Sequence, residues 1–164
     1  MSSDLNAHEL RSAFSRFATG VTVVTYEVDG SPRGFTVNSF TSVSLDPALA
    51  LVSVAHGAAA ASRLPGAKFA INVLGEHQQA HALQFCGREQ EGLEIAWVRE
   101  EGRAPELAHV VAAYQCSGWQ VVPAGDHDLH VAEVHSVRVD HELRPLLFIN
   151  GQFTTASPDT LLAV

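Results

Sequence analysis

The chain has 164 residues, 46% of them hydrophobic and 17% charged, which suits one domain with a buried core and excludes a disordered chain. Its formal net charge of −8 argues against a nucleic-acid backbone or an anionic membrane surface as the main partner. Cys86 and Cys116 lack any metal-ligand spacing and read as reduced, buried thiols.

Residues 1–9 are polar, without the apolar run of a signal peptide, and no segment reaches the roughly 18–20 apolar residues of a membrane span. The expectation is one cytoplasmic domain over residues 1–164 with no membrane partner. Ser2, Ser3 and Asp4 offer helix N-caps, and Leu10, Phe14 and Phe17 form an apolar stripe that Gly20 can end. The β-branched run at 21–26 reads as a strand, Asp29-Gly30 as a hairpin turn, and 33–37 as the returning strand. The apolar run 48–54 suits a strand buried on both faces. A short helix is expected over 58–64, stopped by Pro65-Gly66, then a strand at 68–74 and a helix at 76–86 with Ala80, Leu83 and Phe85 inward. Residues 87–105 read as a mobile excursion with Trp97 pinned against something apolar. Further strands are expected at 110–122, 129–139 and 146–149. Many strands with few helices point to a β-barrel or sandwich with helical covers.

The most unusual stretch is residues 34–44. Thr36, Asn38, Ser39, Thr41, Ser42 and Ser44 alternate there with Phe35, Val37, Phe40 and Val43. Buried hydroxyls need partners, and an amphipathic planar ligand supplies both apolar area and hydrogen bonds. By composition alone an ordinary strand–turn–strand is the better fit to the stretch. Gly125-Asp126-His127 delivers a histidine to the start of a strand, where it can donate a hydrogen bond or titrate near neutral pH; a solvated surface turn is the plainer alternative. His127 and His135 alternate to one face of that strand and His130 to the other, so no metal site is expected from them. His77 and His81 lie at i, i+4 without a third ligand. No Rossmann, P-loop or nucleophile-elbow motif occurs.

These pieces stand in an order that resembles the short-chain flavin reductases, the reductase components of two-component flavin-dependent monooxygenases. The matching segments are Thr19-Gly20-Val21-Thr22-Val23-Val24-Thr25, Gly34-Phe35-Thr36-Val37-Asn38-Ser39-Phe40, Ser42-Val43-Ser44-Leu45, Phe69-Ala70-Ile71-Asn72-Val73-Leu74, Gly125-Asp126-His127, Pro145-Leu146-Leu147-Phe148 and Gly151-Gln152-Phe153. The resemblance implies a mainly β fold with short helices, an FMN-binding split β-barrel of Greek-key-like topology, and a homodimer with flavin sites at the subunit interface. It implies hydride transfer from NADH or NADPH to FMN or FAD, with reduced flavin passing to a separate monooxygenase.

Residue by residue, Thr36, Val37, Asn38 and Ser39 would line the ring and ribityl chain, and Ser42 and Ser44 would support that loop or touch the flavin. Ser53, Val54, Ala55 and Ser62 would lie near the flavin phosphate, and Phe85 and Arg88 near the outer phosphate or adenine. His127 is the catalytic candidate, orienting the nicotinamide, with Gly151, Gln152 and Phe153 covering it. Phe153 stands where the family often carries a hydroxylated aromatic. Two alternatives stay within the fold: a split-barrel FMN oxidase, and a flavin- or haem-binding module without turnover.

Overall fold

A computed structural model describes residues 6–157. The first helix, α1, spans Ala7–Phe14 and is capped by Asn6, whose side chain accepts from the Glu9 N–H at 2.8 Å. The expected caps Ser2, Ser3 and Asp4 lie outside the described residues. The helix ends at Ser15, five residues before Gly20, which instead belongs to strand β1 (Thr19–Gly20). No residue of α1 is buried, and Phe14 at its end and Phe17 just beyond it are 69% and 78% exposed, so the apolar stripe is left largely uncovered among the described residues.

Strands β2 (Thr22–Val28) and β3 (Ser31–Val37) form the expected hairpin. Asp29 and Gly30, at φ 49° and 73°, make the mirror-image turn that matches strand twist. Strands β4 (Thr41–Leu45) and β5 (Ala48–Ala55) form a second hairpin. Then come β6 (Lys68–Val73), a short 3-10 turn Glu76–Gln78, helix α2 (Gln79–Phe85), and the two-residue strands β7 (Trp97–Val98) and β8 (Glu106–Leu107). The long hairpin β9 (Ala112–Ala124) and β10 (His127–Val139) and the short hairpin β11 (Leu146–Ile149) and β12 (Gln152–Thr155) complete the chain.

Seven strands form one sheet in the order β3-β2-β6-β9-β10-β5-β4. β3 and β4 are its opposite edges, yet only residues 38–40 join them. A flat sheet would hold those edges tens of ångströms apart, since neighbouring strands are about 4.8 Å apart. The sheet must therefore roll so that its edges approach without pairing, which is the split barrel. Ser39 closes the seam: its hydroxyl donates to the Ser53 carbonyl at 3.2 Å and accepts from the Ser53 N–H at 3.0 Å. β4 pairs with β5 only as far as Leu51, so the Ser39 side chain replaces a strand partner where β4 has ended.

Two cores lie on the two faces of β2. Val24 and Tyr26 enter the barrel with Val52, Val54, Leu64, Phe69 and Ile71, and Val21 and Val23 face outward to Leu74, Ala82, Leu107, Val110 and Leu146. Two-sided burial thus falls on β2, where Thr22, Val23, Val24 and Thr25 are all buried, and not on β5 as the apolar run suggested. On β5 only Ala50, Val52 and Val54 are buried, in strict alternation. The expected helix at 58–64 is a chain of turns; the bonds Ala61 N–H to Ala58 and Arg63 N–H to Ala60 are three-residue steps. On α2 the buried side is Ala82, with Gln78 just before it, while Ala80, Leu83 and Phe85 are only partly covered.

The segment 87–105 carries Trp97 packed edge-on to Phe85, as expected, but its far end is firmly tied. Asn72 accepts from the Leu107 N–H at 2.9 Å, and Thr25 donates to the Pro105 carbonyl. Gln115 bonds both backbone groups of Ala104 at 3.0 Å, and Gln78 donates to the Ala108 carbonyl at 3.0 Å. Three buried amide side chains therefore satisfy the backbone of one crossing strap, which an apolar core could not do.

Candidate functional site

A cleft of about 280 Å³ opens where three elements meet. The end of β3 supplies Thr36 and Val37, followed by Asn38; α2 and its exit supply Ala82, Leu83, Cys86 and Arg88; the β11–β12 hairpin supplies Phe148, Gly151 and Phe153. Asn150 and Gly151, at φ 52° and 75°, form the two-residue mirror-image turn that sets Phe148 opposite Phe153. Their rings lie 5.4 Å apart and tilted by 59°. The hairpin is fixed beside the main sheet by a backbone relay: Val21 N–H to Leu146, Leu146 N–H to Leu74, and Leu74 N–H to Val21.

Hydrogen bonding sorts the side chains of the 34–44 stretch. The Thr36 hydroxyl donates to the Ala82 carbonyl at 2.8 Å and pins α2 to β3. Ser39 is engaged at the seam. Asn38 makes no side-chain hydrogen bond among the described residues and lines the cleft, so its carboxamide is the polar group available to a ligand. Asn38 also lines a neighbouring hollow of about 460 Å³ walled by Phe14, Phe17, Ser39, Phe40 and Thr41. Ser42 and Ser44 sit on the edge strand β4 outside both hollows.

The second group of expected residues gathers at one end of β5 and β10. Register pairs Ala55 with His127 and Ser53 with Leu129. Gly125 at φ 69° makes the turn. The Asp126 carboxylate lies 2.7 Å from His127 Nδ1, and this hydrogen bond holds the exposed Asp126 carboxyl below the usual range. Beside it, His56 Nε2 lies 3.1 Å from Asp128, and the His56 N–H donates to the Asp126 carbonyl at 3.1 Å. The Ser39–Ser53 bonds connect this group to the loop that carries Asn38.

Other expected residues are placed differently. Val54 is 1% exposed and belongs to the barrel core, which leaves only its backbone for a ligand. Ser62 sits in the turns after β5 and donates weakly to the Ala59 carbonyl. Phe85 packs on Gly34, where a Cβ would come within 3.1 Å of its ring, and on Trp97. Gln152 is exposed at the hairpin. His130 points into the core, and His135 is the extra residue of a bulge in β10, so the three histidines diverge. Among the described residues no group of three or more His, Cys, Asp or Glu could hold a metal ion.

Val21, Ala82, Leu83, Cys86 and Phe148 line the cleft without having been expected there. Phe148 was within reach of sequence reasoning: Asn150-Gly151 is a strong hairpin signal, and folding the chain about it sets 148 against 153. The α2 residues carry no comparable signal, because only the packing of α2 on Gly34 brings them there.

The cleft combines apolar walls, one unpaired carboxamide and one cation, Arg88, with no carboxylate in its lining. That suits a planar ligand with an apolar end, a hydrogen-bonding edge and a negative tail. Among the described residues no helix is long and apolar enough to cross a membrane.

Comparison with known proteins agrees with this geometry. Residues 14–157 match the family described as "Flavin reductase like domain". The reductase component of a flavin-dependent trigonelline monooxygenase from Acinetobacter baylyi is 44% identical over 136 residues, covering 78% of this chain and 42% of that protein. An NADH-dependent FAD reductase from Streptomyces globisporus is 39% identical over 159 residues, covering 92% of this chain and 86% of that one. The solved structure of flavin reductase PheA2 in its native state superposes with a TM-score of 0.88 at 32% identity, covering 93% of this chain and 99% of that chain. The chain spans about half the length of some curated relatives, 42% of one and 56% of another.

Proposed function

The chain belongs to the flavin reductase-like family, and from that premise we propose that it is an NAD(P)H:flavin oxidoreductase supplying reduced FMN or FAD to a separate monooxygenase. The observation that carries this reading is the convergence of β3, α2 and the β11–β12 hairpin on one cleft with an unpaired Asn38. A flavin held in the cleft would supply hydride acceptance from reduced nicotinamide, chemistry that belongs to that pair and not to the protein.

The protein's part is placement and exclusion of water. The Asn38 carboxamide would hold the polar edge of the ring. Val37, Phe148 and Phe153 would cover its apolar area and exclude water from it. Thr36 and Ser39 act through the scaffold, because their hydroxyls already hold α2 and β5. Arg88 offsets phosphate charge at the mouth. Its contact of 2.7 Å with Asp126 engages His127 Nδ1 and would leave Nε2 to orient the nicotinamide. No acid or base in the cleft is needed for hydride transfer, in keeping with its lining.

We also read the whole chain as one cytoplasmic domain acting as a homodimer. Exposed Leu45, Trp119 and Val137 on β4, β9 and β10 support association, which sedimentation at two concentrations tests. For the activity, purified protein is mixed with FMN or FAD and with NADH or NADPH, and loss of nicotinamide absorbance is followed. Loss in at least one combination is expected, and the pattern identifies the flavin and the donor. No loss in all four combinations refutes the reading.

A further inference from the structure

The β11–β12 hairpin is a thin wall. Its strands have four residues each; among the described residues β12 pairs only with β11, and on the other side β1 pairs only with Leu147 and Phe148. The tip beyond Phe148 therefore has no strand neighbour, and an isolated hairpin is marginal in water. Yet this tip carries Gly151 and adjoins Phe153, both in the cleft lining.

What holds the tip is the segment after α1. The Asn150 N–H donates to the Ser15 carbonyl at 2.7 Å, and Arg16 Nη1 donates to the Asn150 side-chain oxygen at 3.2 Å. We infer that Arg16 and Asn150 are positioning residues: a latch from the N-terminal segment that fixes the hairpin tip over the cleft and so sets the affinity for the nicotinamide. Neither residue lines the cleft, so the effect passes through Gly151 and Phe153.

The inference rests on the reductase reading, and substitutions separate latch from fold. Asn150→Gly keeps the positive-φ turn and the N–H to Ser15 but removes the link to Arg16. Asn150→Asp keeps both the link and a tolerable turn. Two measurements are made: amide hydrogen exchange at 151–153 in ligand-free protein, and steady-state kinetics with NADH.

Arg16→Ala and Asn150→Gly are each expected to speed exchange at the tip. Each should raise KM for NADH about three- to fivefold, the scale of one exposed hydrogen bond, with kcat and flavin Kd changed by less than about twofold. Asn150→Asp should match the parent protein, and the double variant should be no worse than either single one. Unchanged exchange and KM in both single variants, strictly additive losses, or an Asn150→Asp variant that behaves like Asn150→Gly would overturn the latch. If the parent protein oxidises neither NADH nor NADPH, the reductase reading fails, while exchange at the tip still decides whether the latch exists.

Discussion

Ser39→Ala separates two roles that one hydroxyl could play. The Ser39 side chain makes two bonds to the Ser53 backbone, at 3.2 Å and 3.0 Å, at a partly buried seam. A typical intramolecular hydrogen bond contributes about 1 kcal/mol net, so removing both should cost about 2 kcal/mol. For a domain of this size each kcal/mol lowers Tm by roughly 2–4 °C, which gives a fall of roughly 4–8 °C. The measurement is thermal unfolding of ligand-free protein at fixed concentration, with flavin affinity followed by fluorescence quenching. Flavin affinity should change less than the roughly tenfold expected for losing a direct hydrogen bond to a ligand. Ser39→Thr keeps the hydroxyl and should retain most of the stability. An unchanged Tm together with a tenfold or greater loss of flavin affinity would refute the seam and make Ser39 a flavin contact instead.

Three further outcomes are expected. His127→Ala should raise KM for the nicotinamide substrate by about tenfold, with flavin Kd nearly unchanged; unaltered kinetics would remove His127 from the nicotinamide site. Cys86, exposed and lining the cleft, should react readily with a bulky maleimide, and labelling should block flavin binding. Cys116 should stay unlabelled in the native protein, since burial pushes its thiol up to about 12, as mass spectrometry of the labelled protein would report. Burial lowers the pKa of His130, against a smaller opposing pull from Asp128, and burial with His77 nearby lowers that of His81. Protons then bind the unfolded chain first, so stability should fall as pH drops below roughly 6.5, the ordinary imidazole value. His130→Leu should shrink the difference between urea midpoints above and below that pH, and an unchanged difference would clear His130 of the effect.

Much of the fold was legible because its signals are local. The β-branched run after Gly20, the Asp29-Gly30 turn and the Leu146–Ile149 strand follow from backbone preferences of neighbouring residues. The same locality misled at 58–64, where an alanine-rich stretch of good helix formers makes turns that bury Ala60 and Leu64 in the barrel core. It misled again at 48–54, where an apolar run reads as two-sided burial but only alternate side chains meet the core.

The site divides along the same line. Sequence by itself determined which residue types were present: the hydroxyl-rich 34–44 stretch, Gly125-Asp126-His127 and Gly151-Gln152-Phe153. Only the tertiary structure decided which of their side chains are already hydrogen-bonded within the protein. Thr36 and Ser39 look alike in sequence to ligand contacts, yet the rolled sheet brings a carbonyl of α2 and the backbone of Ser53 within their reach, leaving Asn38 unpaired. Cleft walls from Ala82, Leu83 and Phe148 depend on a helix resting on Gly34 and a hairpin held beside β2. Those contacts join residues far apart in the chain, and hydrogen-bond partners at such distances are fixed by sheet register and closure rather than by any local propensity.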